Sequence, residues 1–496
     1  MMGRRQRIEG KLFYTDLRLD SRVRPDNPLR QIRATIDFDF ARAVVQPLYG
    51  TVGNPSVDPA VLMKLMLLSV LENIPSEREL MERMPERIDW MWFCEYDWDD
   101  PIPNHSVISK ARRRWGVEVF SQLFQRVLAQ CMDAGLVDGR TLHVDASIIR
   151  AHADQSTLHP LLRVAGQELY ARLDAADGPV PADDPPRDPP PGTWVSPTDP
   201  DARLTRKNGQ PTLGYKDHRV VDDACGIITA TVTTDAATAE AHVIEEALDQ
   251  HEHHAGRSPR TVVADKGYGT AQVYESMAQR QITPCIPHQK HTGGHGVGIY
   301  PAGDFFYDAG RDAYRCPHGQ WLERYATTAD GTRRYRAGPG VCRGCPRRAA
   351  CTRARDGRRL TRCVGQEWID WADRCCSQAH RRRMGRRRMY RAEGSFADAA
   401  NHHGYKRARW RGLVGMTIQN LLIASAQNIR KLIRWRRRKP AAALRGGRNR
   451  LAQVCLHLVH LLRQTVPWPS NRRLLPTGQT EEAVFCTFGF ILAPNA

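Results

Sequence analysis

The sequence predicts an α/β protein: a helical N-terminal region, then a mixed β-sheet with helices, and a cysteine-rich insertion before the last helices. Three observations support this fold class. Apolar residues recur at helical spacing over 1–135, strand-like runs alternate with helical ones over 136–286, and Gly, His, Arg and Cys dominate 287–365. A chain of 496 residues, of which 41% are hydrophobic, can bury the cores of several domains.

The helical N-terminal region contains two clear helix starts. Asp58 followed by Pro59 is typical of a capped helix, and an apolar helical run follows. Farther along, Asn104 or Ser106 could cap one long helix that ends near residue 134.

That second helix contains three consecutive arginines, Arg112, Arg113 and Arg114. A short turn before a basic helix is typical of a helix-turn-helix motif, whose second helix enters the DNA major groove. A helix with a solvated basic face has the same pattern. The N-terminal region is therefore a candidate DNA-binding domain, with these arginines as candidate contacts.

The periodicity changes from helical to strand-like at residue 141. The segment TLHVDASIIR at 141–150 alternates like a buried strand, and the Pro- and Asp-rich stretch 174–203 is predicted to be a flexible loop. We predict further strands at 216–221, 226–233, 261–264 and 283–286, and helices at 239–251 and 271–280. Hairpin strands followed by strand-helix alternation indicate a mixed sheet.

Two acidic residues lie in apolar strands of this sheet. Asp145 lies within HVDASI, and Asp265 ends the strand VVAD. A buried carboxylate is costly unless its charge is paired or binds a metal ion, although either residue alone could simply cap a loop. Together with Glu393, on a predicted helix, they would suit a hard cation such as Mg²⁺ or Mn²⁺. Two such ions can activate the attacking oxygen and stabilise the leaving oxygen in phosphodiester transfer.

Four blocks around these acids resemble the bacterial insertion-sequence transposases of the DDE superfamily. The blocks are TLHVDASIIRAHADQS, LGYKDHRVVD, VVADKGYGT and YRAEGSFADAANHHGYKRARWRGL, and DPAVLMKLMLLSVLENIPSERELMERM is similar to the helical N-terminal domain of that group. The resemblance covers about residues 10–440. It implies an RNase H-like catalytic core, Mg²⁺ dependence, cleavage at the terminal inverted repeats of a transposon, and strand transfer into target DNA.

By position in these blocks, Asp145, Asp265 and Glu393 match the three catalytic acids of the family. The interval between the second and third acids is long for a bare RNase H-like core, which implies an insertion domain at 287–365. Glu367, in GQEWID, is the rival candidate for the third acid.

The family's third-acid signature, Tyr-x-x-Arg-x-x-x-Glu-(six)-Lys, matches imperfectly. Arg388 is the best positional partner of the acid, and Ala400 stands where the family has lysine. Lys406 or Arg407 could supply the missing phosphate contact. Lys266, beside the second acid, could also contact the DNA backbone or could simply be solvated.

Four of the 13 cysteines lie close together in the insertion: Cys316, Cys342, Cys345 and Cys351. Cys342-x-x-Cys345 has the spacing of a zinc knuckle, and the other two could complete a four-thiolate site, with His318 as a substitute ligand. The alternative is a set of free thiols in an irregular domain. The segment looks too polar to fold by its own core, so structural Zn²⁺ is a hypothesis.

Basic residues exceed acidic ones, 73 against 54, which gives a net charge of +19 and a pI near 9.6. Such an excess suggests a polyanionic partner, here DNA. Basic runs flank Glu393, with HRRRMGRRR at 380–388 before it and Arg409 among those after it. No apolar run is long enough for a membrane span and no secretory signal opens the chain, so the expected location is the bacterial cytoplasm, at the nucleoid.

The sequence therefore predicts a DNA transposase that acts as a homodimer on transposon ends and target DNA. Residues 366–440 would complete the core with the Glu393 helix and a basic C-terminal helix. Residues 441–496 form a tail of uncertain structure, which could be read-through sequence. Two alternatives stay open: a nuclease with the same core but no strand transfer, and an inactive or domesticated transposase that only binds DNA.

Overall fold

The computed structural model describes residues 1–3, 18–160, 194–207, 209–289 and 299–438. Most of the loop predicted at 174–203 and the whole tail at 441–496 lie outside the described residues. No helix within the described ranges is both long and apolar enough to cross a membrane.

The N-terminal region is helical, as predicted. Its helices are α1 (Leu19–Arg22), α2 (Pro28–Thr35), α3 (Phe40–Val45), α4 (Pro59–Leu71), α5 (Glu77–Arg83), α6 (Ile88–Cys94), α7 (Ser106–Trp115) and α8 (Glu118–Asp133). The Asp58 side chain caps α4 by accepting a hydrogen bond from the Ala60 amide, and α4 is almost entirely buried. The single long helix predicted after residue 104 was wrong. Gly116 adopts a positive φ of 63°, which ends α7 and separates it from α8.

The central sheet has the RNase H-like strand order that the resemblance implied. Its strands are β1 (Thr141–Arg150), β4 (Arg203–Lys207), β5 (Gln210–Asp222), β6 (Ile228–Asp235), β7 (Thr261–Val263) and β8 (Thr283–Pro284), while β2 (His159–Pro160) and β3 (Trp194–Val195) form a separate pair. β5 pairs antiparallel with β1 on one edge, and with β4 and β6 on the other. On the far side of β1, strands β7 and β8 run parallel to it.

Two helices, α9 (Ile244–Ala255) and α10 (Ala271–Gln279), contribute to the apolar core on one face of this sheet. The helix predicted from residue 239 starts later than expected. Glu240–His242 form a 3-10 turn instead, and Ala239 before it has no side chain that could cap a helix.

The insertion contains a second, five-stranded antiparallel sheet. Its strands are β9 (Phe306–Asp308), β10 (Ala313–Arg315), β11 (Trp321–Thr327), β12 (Arg333–Ala337) and β13 (Arg359–Arg362), and the short helix α11 (Arg348–Cys351) lies between the last two. Buried residues including Leu322, Tyr335 and Leu360 pack together there in a small core. That this core is insufficient to fold the segment alone stays a prediction.

The last helices return to the central sheet. They are α12 (Gln366–Cys375), α13 (Gln378–Arg388), a π-helical turn (Met389–Glu393), α14 (Gly394–His403) and α15 (Gly412–Arg438). The side-chain amide of Asn428, on α15, both donates to the Ile228 carbonyl and accepts from the Ile228 amide of β6. One apolar core then joins residues of α4, α8, β1 and α15, so the helical N-terminal region and the sheet share their interior.

Candidate active site

Asp145 and Asp265 come together because β1 and β7 share one parallel register. His143 lies opposite Val263 in that pairing. Two residues farther along both segments, the same register brings Asp145 beside Asp265, which follows the end of β7. Neighbouring strands are about 4.8 Å apart, and residues two apart on a strand point to the same face. Two carboxylates that are distant in sequence therefore share one side of the sheet.

Burial raises the pKa of Asp145 to about 6, although Arg388 and a backbone hydrogen bond from Ala146 oppose this shift. The negative charges of Asp265 and Glu393 raise the pKa further. The Asp145 side chain is only 13% exposed. Asp265 and Glu393 therefore both lie close enough to Asp145 for their charges to act on it.

Arg388 joins the first and third acids. Its Nη1 lies 2.7 Å from Asp145 Oδ2, and its Nη2 lies 3.2 Å from Glu393 Oε1. Glu367, the rival third acid, lies instead in the first turn of α12. Glu393 is therefore the acid that the arginine holds beside the sheet.

The π-helical turn explains how Arg388 and Glu393 reach the same point. They are five residues apart, and on a regular α-helix residues five apart do not share a face. A π-turn, which closes its hydrogen bonds between residues i and i+5, brings such a pair to one side. The turn over Met389–Glu393 lies between these two residues.

Lys406 lies near the first acid, although it is not at the family's lysine position. Its Nζ donates to Ser147 Oγ at 2.8 Å, and Ser147 is two residues beyond Asp145 on β1. The Arg150 amide also donates to the Lys406 carbonyl at 3.1 Å, so the backbone around Lys406 runs alongside the end of β1. Arg407 is exposed next to it, as is Lys266 beside the second acid.

Two of the arginines predicted to contact DNA are held inside the protein instead. Arg112 forms an ion pair with Glu77, and its guanidinium stacks 3.9 Å from the Trp410 ring centroid. Arg409 donates to backbone carbonyls of other segments, including that of Ile74. Both arginines therefore stabilise contacts within the protein, and neither is a candidate for DNA contact. Arg113 and Arg114 are exposed.

Sequence reasoning missed one acid of this region, Glu240. Burial raises its pKa, and the negative charge of Asp265 raises it further. An ideal Cβ built on Gly267 would lie 2.8 Å from Glu240 Oε2 and 2.9 Å from Asp265 Oδ1. A glycine is thus required at position 267 because a side chain there would meet both acids, and not only because the chain turns tightly. The sequence around Glu240 shows only a single acid after a strand, and this pattern does not predict that it lies close to Asp265.

The four insertion cysteines line one pocket together with apolar residues such as Leu322 and Ala337. Cys316 Sγ accepts a hydrogen bond from the Gln320 amide at 3.3 Å, and a Cβ on Gly357 would lie 2.9 Å from Cys342 Sγ. The substitute ligand His318 is exposed and does not line the pocket.

A different group is tighter. Within the described residues, one group of three possible metal ligands has all its ligand atoms within 4.8 Å of one another: Cys285, Cys376 and His380. The Sγ atoms of Cys285 and Cys376 are 3.1 Å apart. This cluster lies between β8 and the start of α13, and no spacing in the chain indicates it because its members are far apart in sequence.

Two family models match the chain. The one described as Transposase domain (DUF772) matches residues 17–114, and the one described as Transposase DDE domain matches residues 315–433, which include the insertion and Glu393. Asp145 and Asp265 lie between the two matched ranges. No curated protein matches the chain.

Among solved structures, a piggyBac transposase synaptic complex with hairpin DNA is similar over 94% of this chain and 91% of that chain, at 9% identity and a TM-score of 0.27. A similarity this low supports no argument, so the fold assignment rests on the strand order.

The strand order of the central sheet defines an RNase H-like α/β protein. Both family matches are to transposase domains, in agreement with the insertion-sequence DDE transposase that the sequence blocks predicted, and transposase families are enzymes.

Proposed function

We propose that this transposase cleaves DNA at transposon ends and joins the freed ends to target DNA, with Asp145, Asp265 and Glu393 as the catalytic acids. The observation that supports this most is their convergence on one side of the sheet, with Arg388 between the first and the third. Three acids brought together in this way suit phosphodiester transfer, which needs positioning and charge neutralisation more than covalent help.

The donor chemistry of the centre fits a hard divalent cation, Mg²⁺ or Mn²⁺. Carboxylate oxygens are the ligands these ions prefer, and a buried acid with a raised pKa, such as Asp145, lacks sufficient compensating positive charge. When bound, the ions activate the attacking oxygen and stabilise the leaving one. Arg388 holds two of the acids in place, and once their charge is compensated its guanidinium can turn to the scissile phosphate.

DNA is the proposed partner because the chain is basic and carries exposed cations around this end of the sheet. Lys266 is exposed next to the second acid, Arg407 is exposed where it bridges to Arg150 at the end of β1, and the net charge of +19 favours a polyanion. Arg113 and Arg114 on α7 extend the basic surface to the helical region. A homodimer at the bacterial nucleoid is proposed because two transposon ends must be joined in one reaction.

We also propose a structural Zn²⁺ held by Cys316, Cys342, Cys345 and Cys351. Four thiols line one small pocket and offer the ligand set of the four-thiolate sites in which zinc stabilises small domains. No three of these four thiols, all of which the structure describes, have their Sγ atoms within 4.8 Å of one another, so they would have to draw closer when the ion binds. The small core of the insertion supports this proposal, because a limited apolar core needs a further source of stability.

The catalytic proposal is tested on a donor plasmid that carries the DNA flanking the gene. Asp145→Asn, Asp265→Asn and Glu393→Gln should each lower cleavage at least about 10³-fold, since metal-assisted charge stabilisation contributes several kcal/mol. Glu367→Gln is the matched control and should cleave like the wild type. Binding of the same DNA should persist in all four variants.

Retained cleavage in Asp265→Asn would overturn the catalytic assignment. The products also separate the two alternatives. Cut ends without joined products would favour a nuclease, whereas DNA binding without cutting in the wild type would favour a domesticated transposase.

A further inference from the structure

Glu240 reaches the acid centre from an element that none of the three catalytic acids occupies. It begins the 3-10 turn between β6 and α9, and this turn packs against the one that starts at Lys266. Glu240 Oε2 and Asp265 Oδ1 both lie within 3 Å of the point where a side chain on Gly267 would begin. A fourth carboxylate therefore faces the second catalytic acid across a gap that the chain leaves free of side-chain atoms.

The charge of Glu240 is only partly compensated by the cation next to it. Lys216 Nζ lies 3.9 Å from Glu240 Oε1, but it donates its shorter contact, 2.8 Å, to the Thr238 carbonyl. The Glu240 side chain is 27% exposed. A half-buried carboxylate facing another acid favours a bound cation.

Tyr268 gives an independent sign of a ligand at this point. It is fully buried, and its hydroxyl has no hydrogen-bond partner in the described part of the chain. The charges of Glu240, Asp145 and Asp265 all act on it. A buried hydroxyl without a hydrogen-bond partner is destabilising. A hydrated ion between these acids would supply the missing partner, because Mg²⁺ keeps several of its waters when proteins bind it.

We propose that Glu240 and Asp265 together form a second divalent-cation position of the active site, with the Tyr268 hydroxyl bonded to the water shell of the ion. This inference rests on the proposed function, since it adds a ligand to the same acid centre. The ligand class is a hydrated hard cation, Mg²⁺ or Mn²⁺.

The test counts bound Mn²⁺ on the full-length protein by electron paramagnetic resonance, without DNA. The wild type should bind two ions per chain. Glu240→Gln keeps the shape of the side chain but removes its charge, and it should lose one ion or bind it at least about ten-fold more weakly. Glu245→Gln, exposed on the first turn of α9, is the matched control and should bind like the wild type.

The outcomes separate this inference from the proposed function. If Glu240→Gln binds two ions with wild-type affinity while Asp265→Asn loses them, the inference is overturned and the catalytic proposal stands. If Asp265→Asn also binds normally, both are overturned. Tyr268→Phe should weaken the binding of one ion a few-fold. Thermal melting of each variant checks that the fold is retained.

Discussion

The acids of the central sheet and the thiols of the insertion reach their sites by different routes. Asp145, Asp265 and Glu393 are far apart in the chain, and strand register together with a π-helical turn brings them together. The four cysteines lie close in sequence, and short turns of one small sheet bring them to one pocket. The first site depends on a large core, whereas the second depends on local geometry.

This difference predicts how each region responds when its site is removed. The sheet shares an apolar core with the N-terminal helices and with α15, so it should stay folded without its acids. The insertion has a core of few residues and should lose its fold without a ligand for its thiols. A catalytic site can thus be altered at little cost in stability where other residues already fix the fold.

Removing one thiol of the insertion tests this difference between the two regions most directly. Cys345→Ser should remove one Zn²⁺ per chain and unfold the insertion, because zinc binding to such sites contributes about 10 kcal/mol or more to folding. Elemental analysis measures the metal, and limited proteolysis within 299–362 measures the unfolding. Cys376→Ser, in the other thiol cluster, is the control and should keep the ion. A wild-type protein without zinc would contradict the prediction.

The next effect tests how firmly the central sheet is held to the last helices. Asp217 and Arg219 are fully buried on β5, with Asp217 Oδ2 2.8 Å from Arg219 Nε and accepting from the Tyr405 hydroxyl at 2.9 Å. Asp217→Leu leaves the arginine charge unpaired and should lower the free energy of unfolding by about 3–5 kcal/mol. Urea denaturation measures this loss.

A double variant is the matched control for that experiment. Asp217→Leu combined with Arg219→Met removes both charges and should recover most of the lost stability, because no buried charge then remains unpaired. Equal losses in the single and the double variant would show that the packing of these residues matters more than their charges.

The smallest effect concerns pH. Burial lowers the pKa of His403 to about 4, although its hydrogen bond to the Val70 carbonyl opposes this shift. The Nδ1 atom donates to that carbonyl at 2.8 Å, while Nε2 faces the Arg430 guanidinium at 3.3 Å, so a second ring proton would meet a positive charge. The unfolded chain therefore binds the proton more readily than the folded one.

This group consequently stabilises the fold fully above about pH 6.5 and loses that contribution as pH falls toward 4, an effect of about 2–3 kcal/mol. Denaturation at pH 7 and pH 5 should show a smaller pH dependence in His403→Gln than in the wild type. His402→Gln, exposed next to it, should match the wild type. An unchanged dependence in both variants would refute the assignment.

Sequence periodicity predicted β1, β5 and β6 of the central sheet because these strands are long and buried, whereas β4 was not predicted. The strand predicted at 141–150 has those bounds in the structure, and the helix predicted at 271–280 ends one residue earlier. The strands of the insertion were missed for a physical reason. β12, with the sequence RRYRA, alternates over only four residues and buries only Tyr335 and Ala337, which is too short and too polar a pattern to distinguish from a loop.

The candidate site was predictable in part. The family resemblance pointed to Asp145, Asp265 and Glu393, and Arg388 was selected by its position alone. Glu240 was not found, because its approach to the second acid depends on how two turns pack and not on any spacing in the chain. Arg112 and Arg409 are packed within the protein and so do not belong to the predicted DNA-binding surface. A count of charges in the sequence does not predict which of them are packed in this way.

The π-helical turn at Met389–Glu393 lets the chain carry one residue more between the arginine and the acid than an ordinary α-helix would need. If the same residues formed an α-helix, everything before the turn would rotate by about 100° relative to everything after it, and the arginine would point away from the acid that it now holds. Deleting one residue would instead place the two groups four apart, and residues four apart share a face of an α-helix. Relatives of this chain that are one residue shorter here can therefore hold the same pair without any π-turn.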